Sequence, residues 1–359
     1  MRIMLITDAW EPQVNGVVRT MKRVIAECEE MGHEWEIVSP ADGFRTIPLP
    51  TYSEIRLALG AKKNIAERFD TFEPDAIHIA TEGTLGMAGR AMCLKHKHPF
   101  STSYHTRFPE YVSARLPIPL SLGYRFVRWF HRYSGKVMVA TPSMRQELED
   151  RGFSNVVSWT RGVDTETFHP SFRIAEGAAD DPYSGLPRPI FLNVGRVAVE
   201  KNIETFLELD LPGSKVVVGD GPQLDELKDK YKDVHFLGAK FGDDLATHFA
   251  SADVFVFPSL TDTFGLVNLE AMAAGTPVAA FDAPGPRDII PGSNAGIISS
   301  DLRQAALDCL SLSRQTARTY AQQYSWRACA EAFIDNLAPL PVPERRRFWR
   351  RLRRSKRKA

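Results

Sequence analysis

VFVFPSLTDTFGLVNLEAMAAGTPV, residues 254–278, reads as a strand, a turn and a helix leading into another strand. The apolar run Val254–Phe257 suits a buried parallel strand that ends at Pro258. Thr261, Asp262 and Thr263 offer helix-capping side chains, Phe264-Gly265 opens a helix, and Gly275 stops it before the next apolar run, Pro277–Phe281. From Phe264 to Phe281 the only charged residue is Glu270. A lone carboxylate in an apolar helix is costly unless it is hydrogen-bonded. It is either a buried acid paired with an internal lysine or backbone, or an acid facing a cleft where it accepts hydrogen bonds from vicinal hydroxyls. The free N–H groups of Gly265, Leu266 and Val267 at the helix start suit phosphate or sugar oxygens.

The same alternation extends outward through the chain. Upstream of this unit, strands are expected at Pro189–Val194, Lys215–Val218 and Val234–Leu237. An earlier series runs through Arg2–Thr7, Glu34–Ser39, Ala76–Ala80, Phe100–Tyr104 and Lys136–Thr141, with a helix over Val17–Met31 closed by Gly32. Repeated strand–helix units give parallel sheets covered by helices on both faces, so the fold class is α/β with two doubly wound, Rossmann-like domains. The polar stretch Phe172–Arg188, rich in Gly, Pro and Asp, is the natural linker between them. The expected division is a first domain at 1–171, a linker at 172–188, a second domain at 189–323, a helix at 324–340 returning to the first domain, and a tail at 341–359. Ligands of such sheets bind beyond the carboxyl ends of the strands, so two facing domains create a cleft.

A chain of 359 residues agrees with two domains, and its 43% hydrophobic and 25% charged content is that of a globular protein. No stretch approaches the roughly 20 apolar residues of a spanning helix. Asp8 and Glu11 interrupt the place where a signal peptide would continue its apolar core, so export is not expected. The four cysteines, Cys28, Cys93, Cys309 and Cys329, are far apart and form no CxxC pair, which points to reduced, buried thiols and to neither zinc nor disulfides. The net charge of +1 hides an uneven distribution. Residues 345–358 hold ten Lys or Arg and no acid, whereas residues 1–343 carry 35 basic against 43 acidic residues. A net-acidic body argues against a nucleic-acid-binding fold.

Several motifs stand where strands should end. Gly195-Arg196 and Glu200-Lys201-Asn202 follow the first strand of the second series, and two cations five residues apart at a strand end suit a diphosphate. In DAWEPQVNGVV, residues 8–18, Gly16 permits close backbone approach at a helix start, although Asn15-Gly16 is also a common structural turn. His105 follows a strand of the first series; Asp220 either packs near a ligand or caps the next helix. There is no GxGxxG followed by an acid and no GxxxxGK[ST], which disfavours dinucleotide dehydrogenases and nucleoside-triphosphate cradles. A two-domain Rossmann-like chain is also the wrong setting for the paired carboxylates of a glycosidase.

The 254–278 segment resembles the nucleotide-sugar motif of retaining GT-B glycosyltransferases of family 4, where an acid is followed eight positions later by Glu, with Phe-Gly between. Asp262 and Glu270 match that spacing, with Asp where the family more often has Glu. The TDTFG setting resembles the branch that glycosylates lipids, including sulfoquinovosyl- and glucuronosyl-diacylglycerol synthases. The resemblance covers residues 1 to about 338. It implies that Asn15 and Gly16 approach the donor diphosphate, that Arg196 and Lys201 stabilise the departing diphosphate, and that Glu270 holds the ribose. It further implies that His105 and Asp262 position the sugar, that Phe264, Gly265, Leu266 and Val267 line the donor site, and that the turn at Gly238 packs on the base. The implied reaction is a same-face hexosyl transfer without a covalent nucleophile, a cofactor or an obligatory metal.

Two stretches point to an anionic membrane surface. In LGYRFVRWFHRY, residues 122–133, Arg125, Arg128 and Arg132 share one helical face while Phe126, Trp129, Phe130 and Tyr133 line another. The tail interleaves Phe348, Trp349 and Leu352 with arginines. Each has a plainer reading, a packed helix and a solvated end, but together they suit binding to anionic lipid. The expected protein is peripheral on the cytoplasmic face of the cell membrane, its partners a nucleotide sugar and a lipid or glycan acceptor, with no nucleic acid. UDP-glucuronate and UDP-glucose are favoured as donors. GDP-mannose is the alternative, and a nucleotide-sugar 2-epimerase or a non-catalytic binding protein of the same fold remain further alternatives.

Overall fold

The structure, a computed structural model, describes residues 1–13, 15–49, 52–113 and 118–341. The tail, with Phe348, Trp349 and Leu352, lies outside the described residues.

The first sheet is built from β1 (Arg2–Ile6), β2 (Glu34–Val38), β5 (Ala76–Ile79), β6 (Ser101–Tyr104), β7 (Val137–Val139) and β8 (Val156–Ser158). A separate antiparallel pair, β3 (Thr46–Leu49) and β4 (Tyr52–Ala58), interrupts the series. The second sheet comprises β9 (Ile190–Val194), β10 (Ser214–Val218), β11 (Val234–Phe236), β12 (Val254–Phe257), β13 (Val278–Ala280) and β14 (Gly296–Ile298). Every pairing within the two large sheets is parallel, and their orders are β2-β1-β5-β6-β7-β8 and β11-β10-β9-β12-β13-β14. Strand order therefore reverses between β1 and β5 in the first sheet and between β9 and β12 in the second. Loops leaving such neighbours diverge to opposite faces and open a crevice, the usual ligand position of this architecture.

The apolar runs become central strands because both faces are covered: β9 and β12 are buried throughout. The helix Gly16–Glu30 starts where Asn15 Oδ1 accepts from the Val17 and Val18 amides, 3.0 Å each, and it buries Val18, Met21, Val24, Ile25 and Cys28. The helix Trp326–Asn336 follows the second sheet in sequence yet packs with the first, where Cys329, Ala330 and Phe333 join Met21, Val24 and Trp159 in one core. Trp159 Nε1 donates to the Cys329 carbonyl at 3.0 Å. All four cysteines are buried free thiols; burial pushes Cys28, Cys93 and Cys309 up to about 12 and Cys329 to about 11.

Three features differ from the sequence reading. The hairpin β3–β4 and the three-residue edge strands β8 and β14 carry no long apolar run, so periodicity does not mark them. The stretch 172–188 is polar in composition but not loose: Asp181 and Tyr183 are buried, and Tyr183 Oη donates to the His248 carbonyl at 2.8 Å. In the helix Leu120–His131, Phe130 is fully buried together with Tyr124, Val127 and His131, so Phe130 leaves the outer aromatic face assigned to it. Phe126, Trp129 and Tyr133 remain exposed beside Arg125, Arg128 and Arg132, the last capping the helix end.

Candidate functional site

The carboxyl ends of both sheets face one cleft of about 2470 Å³. From the second sheet come the loop after β9 and the loop after β12, the neighbours at which strand order reverses. They are stitched together: Thr261 Oγ1 donates to the Glu200 carbonyl at 2.9 Å, and Asn202 Nδ2 donates to the Pro258 carbonyl at 3.1 Å. Lys201 Nζ lies 2.6 Å from Asp262 Oδ1, and Arg196 Nη1 lies 3.5 Å from Glu200 Oε1. Two guanidinium or ammonium groups are thus fixed at the cleft wall with carboxylates behind them, a geometry that suits an incoming anion.

Thr261, Asp262 and Thr263 do not cap the following helix. Gly265 holds the N-cap position of Leu266–Ala273 at φ 80°, and no side chain bonds there. The three residues reach outward to other loops instead, Thr263 Oγ1 donating at 2.7 Å to the His105 carbonyl of the first side. A Cβ at residue 265 would stand 2.6 Å from Asn268 Nδ2, so the left-handed turn and the close packing both require glycine. Leu266 and Val267, in the first turn of that helix, line the cleft, and a helix N-terminus suits an anionic ligand.

Glu270 is buried and ion-paired, but its cation is neither a lysine nor from its own domain. Arg19 Nη2, on the helix Gly16–Glu30, donates to Glu270 Oε1, whereas Oε2 has no partner among the described residues. Burial raises the Glu270 pKa, and the Arg19 guanidinium opposes this. The carboxylate therefore has one oxygen engaged across the cleft and one available for a ligand hydroxyl. His105 also lines the cleft: its Nδ1 is 3.4 Å from Arg161 Nη2, and its Nε2 has no partner among the described residues. Burial and the adjacent Arg161 charge hold His105 well below the usual histidine range, so the ring is neutral at neutral pH.

Asn15, Gly16, Phe264, Gly265, Leu266 and Val267 join His105, Arg196, Lys201, Asp262 and Glu270 in the cleft wall. Asn15 spends its side-chain oxygen on the helix cap. Gly238 stands outside the wall, which Ala239 and Lys240 line in its place; its carbonyl accepts the Gly219 amide at 2.9 Å. Asp220 accepts from the next amide, Gly221 N, at 2.7 Å, and does not cap the helix Leu224–Lys230. Arg125, Arg128, Trp129 and Arg132 lie away from the cleft; Arg128 Nη1 donates to the Arg151 carbonyl at 3.2 Å, and the Arg90 guanidinium stacks 4.1 Å over Trp129. Arg19 and Arg161 were not legible as site residues, because nothing local marks an arginine that meets its partner far along the chain. Among the described residues no group of three or more His, Cys, Asp or Glu is placed to hold a metal ion, and no helix is long and apolar enough to cross a membrane.

Comparison with known proteins agrees with this geometry. The family described as Glycosyltransferase Family 4 matches residues 14–167, and Glycosyl transferases group 1 matches residues 188–314. The chain is 30% identical over 353 residues to sulfoquinovosyl transferase SQD2 of Arabidopsis thaliana, covering 88% of this chain and 69% of that protein. It is also 30% identical over 327 residues to a GDP-mannose-dependent alpha-mannosyltransferase of Mycobacterium tuberculosis, 83% of each. The alpha-monoglucosyldiacylglycerol synthase of Streptococcus pneumoniae is 26% identical over 352 residues, 86% of this chain and 78% of that one. Among solved structures, sucrose-phosphate synthase from Thermosynechococcus elongatus superposes with a TM-score of 0.73 at 19% identity, covering 93% of this chain and 97% of that one. Two facing parallel sheets, cations and acids gathered at the strand ends of the second, and these matches together place the chain in glycosyltransferase family 4, as a glycosyltransferase of the GT-B fold.

Proposed function

We propose that the protein moves a hexosyl unit from a UDP-sugar to a membrane lipid such as diacylglycerol, with retention at the anomeric carbon and no cofactor. The observation that carries the donor side is the pair Arg196 and Lys201, fixed at the point where the second sheet reverses its strand order. Preorganised cations act most where negative charge develops, here on the departing diphosphate. The helix beginning at Leu266 adds its dipole at the same place. Glu270 turns its unpartnered oxygen to the ribose hydroxyls, and Asp262, steadied by Lys201, positions the sugar together with neutral His105. Retention is carried over from the family resemblance.

The acceptor side rests on two supports. Relatives named sulfoquinovosyl transferase and alpha-monoglucosyldiacylglycerol synthase favour a lipid. The exposed Phe126, Trp129 and Tyr133 beside three arginines suit a protein seated peripherally on an anionic, cytoplasmic membrane face. The second reading, a GDP-mannose-dependent mannosyltransferase acting on a glycan or lipid-linked acceptor, is favoured by relatives of that name.

The test supplies UDP-glucose, UDP-glucuronate or GDP-mannose with dioleoylglycerol in phosphatidylglycerol vesicles and follows nucleoside diphosphate release. Release of UDP that requires the acceptor, with an α-linked glycolipid as product, is expected. Turnover with GDP-mannose alone would establish the second reading.

A further inference from the structure

The first sheet has its own point of strand-order reversal, between β1 and β5, and the loops leaving those strands carry two carboxylates that the donor site does not use. Asp8, 4% exposed, is consumed internally. Its Oδ1 accepts from Leu85 N at 2.8 Å, and its Oδ2 accepts from Gly86 N at 3.1 Å and Thr81 Oγ1 at 2.9 Å. Its own amide donates back to Thr81 Oγ1 at 2.7 Å. A Cβ at residue 83 would stand 2.3 Å from Asp8 Cγ, so the turn closes over this carboxylate only with glycine there. Residue 82 is thereby held between Thr81 and Gly83, both locked against Asp8.

That residue is Glu82, which lines the cleft with its side chain 14% exposed. His131 Nε2 lies 3.1 Å from Glu82 Oε1, and His131 is fully buried, with Nδ1 2.8 Å from Thr102 Oγ1. Glu82 and His105 both line the cleft from the loops that follow the paired neighbours β5 and β6. A carboxylate this firmly oriented, on the same side of the cleft as the residue assigned to the donor sugar and on the opposite sheet from the diphosphate cations, has the placement needed to receive the second substrate.

We propose that Glu82 accepts a hydrogen bond from the acceptor hydroxyl that attacks the sugar, with His131 as the positioning residue that holds it. This inference rests on the proposed transferase reading, and it names the group that orients a hydroxyl-bearing acceptor. Orientation of a reactant is worth large factors in rate because the entropy of alignment is lost before the chemical step.

The experiment compares wild type with Glu82→Gln, Glu82→Asp, His131→Phe and His131→Asn. The probes are UDP-glucose, UDP-glucuronate and GDP-mannose, with dioleoylglycerol in phosphatidylglycerol vesicles as acceptor. Three quantities are read: kcat/KM for the acceptor, slow donor hydrolysis by water without acceptor, and UDP or GDP affinity by calorimetry. Glu82→Gln is expected to lower acceptor kcat/KM by about 10- to 100-fold while donor hydrolysis and nucleotide affinity stay within about twofold. His131→Phe should shift the same quantity in the same direction by less, and His131→Asn, which restores a donor, should recover part of it. Equal losses in transfer and hydrolysis would make Glu82 a donor contact and overturn the proposal, as would unchanged acceptor kinetics. If Glu82→Gln binds no nucleotide because it is misfolded, Glu82→Asp decides: a carboxylate drawn back by one methylene should raise the acceptor KM, and an unaltered KM overturns the assignment. A wild type that transfers to dioleoylglycerol from none of the three donors overturns the proposed diacylglycerol transfer on which this inference rests, a result separate from any mutant.

Discussion

Under the loops that follow β5 and β6, the first sheet encloses His78, bonded to Ser101 and Ser103 at 2.9 Å each, and His131 reaching Thr102. Under the loops that follow β9 and β12, the second sheet encloses Ile190, Phe191, Leu192, Val216, Phe255 and Val256, with Asn193 as the buried amide that ties β9 to the Val256 carbonyl. The second side thus keeps its central strands β9 and β12 free of charge and gathers Arg196, Lys201 and Asp262 in the loops at their ends. The first side carries polar and titratable groups into the sheet, from His78 through Arg161 to the cleft at His105 and Glu82. Loops over an apolar sheet can vary their chemistry without disturbing the core. Buried polar networks instead couple chemistry to packing, because every member must be satisfied.

The sharpest way to break this comparison is at the second side's loops. Arg196→Ala and Lys201→Ala should each leave folding intact and lower kcat by about 100- to 1000-fold, the usual cost of losing one transition-state charge partner. Donor affinity measured by calorimetry should fall by less than kcat does. Equal losses in both would mean that the two cations merely hold the donor. A loss of fold would show that the second side is as interdependent as the first.

Acid should separate the two sides next. Burial, with a smaller contribution from His131, pushes His78 down to about 3, and His105 is also held well below 6.5. A histidine whose folded pKa lies below its unfolded value binds its proton first in the unfolded chain. Stability is therefore complete above about pH 6.5 and declines as pH falls toward 3. His78 alone should cost about 2 kcal/mol between pH 6.5 and pH 5, at 1.36 kcal/mol per pH unit. On the second side, His248 is also lowered by burial, but Asp244 beside it opposes the shift. No tryptophan lies between residues 189 and 323, while Trp35, Trp159 and Trp326 pack around the first core. Urea unfolding followed by tryptophan fluorescence should accordingly lose midpoint with acid more steeply than β-sheet circular dichroism. Coincident curves at every pH would join the two sides into a single cooperative unit.

The smallest expected effect sharpens the contrast at the surface. Replacing Arg125 and Arg132 by Ser should weaken sedimentation with phosphatidylglycerol vesicles by about 1 kcal/mol per residue, an effect that fades with salt over a Debye length of about 8 Å at physiological ionic strength. Matched replacement of the exposed Lys228 and Lys232 on the second side should change nothing. Equal losses from both pairs would remove the membrane assignment from the Leu120–His131 helix.

Much of the second side was legible from residues alone. The strand Val254–Phe257, the glycine turn, the apolar helix and its lone acid lie within 25 residues, and each element is specified by neighbours a few positions away. The first side was legible as strands and helices but not as a site. Glu82 sits in TEGTLG, an ordinary polar turn by composition, and His131 reads as one more polar position on an amphipathic helix. The helical face assigned to Phe130 failed for the same kind of reason. Spacing places Phe130 among the aromatics, but Tyr124 and Val127 turn into a core with Tyr104, Val137 and Val139, and Phe130 joins another with Ile77, Ile79 and Phe100.

Alternating apolar runs by themselves determined two parallel sheets, the strand-end positions of Arg196, Lys201 and Asp262 and the helix that carries Glu270, and cysteine spacing pointed to the free buried thiols, because those signals act over a few residues. Tertiary structure alone decided which charges meet. Glu270 pairs with Arg19 at a sequence separation of 251, Thr263 bonds the His105 carbonyl across 158, and His131 reaches Glu82 across 49. Such partners are chosen by how two sheets face each other and by which loops leave at each reversal of strand order. A side chain's own neighbours carry no record of that arrangement.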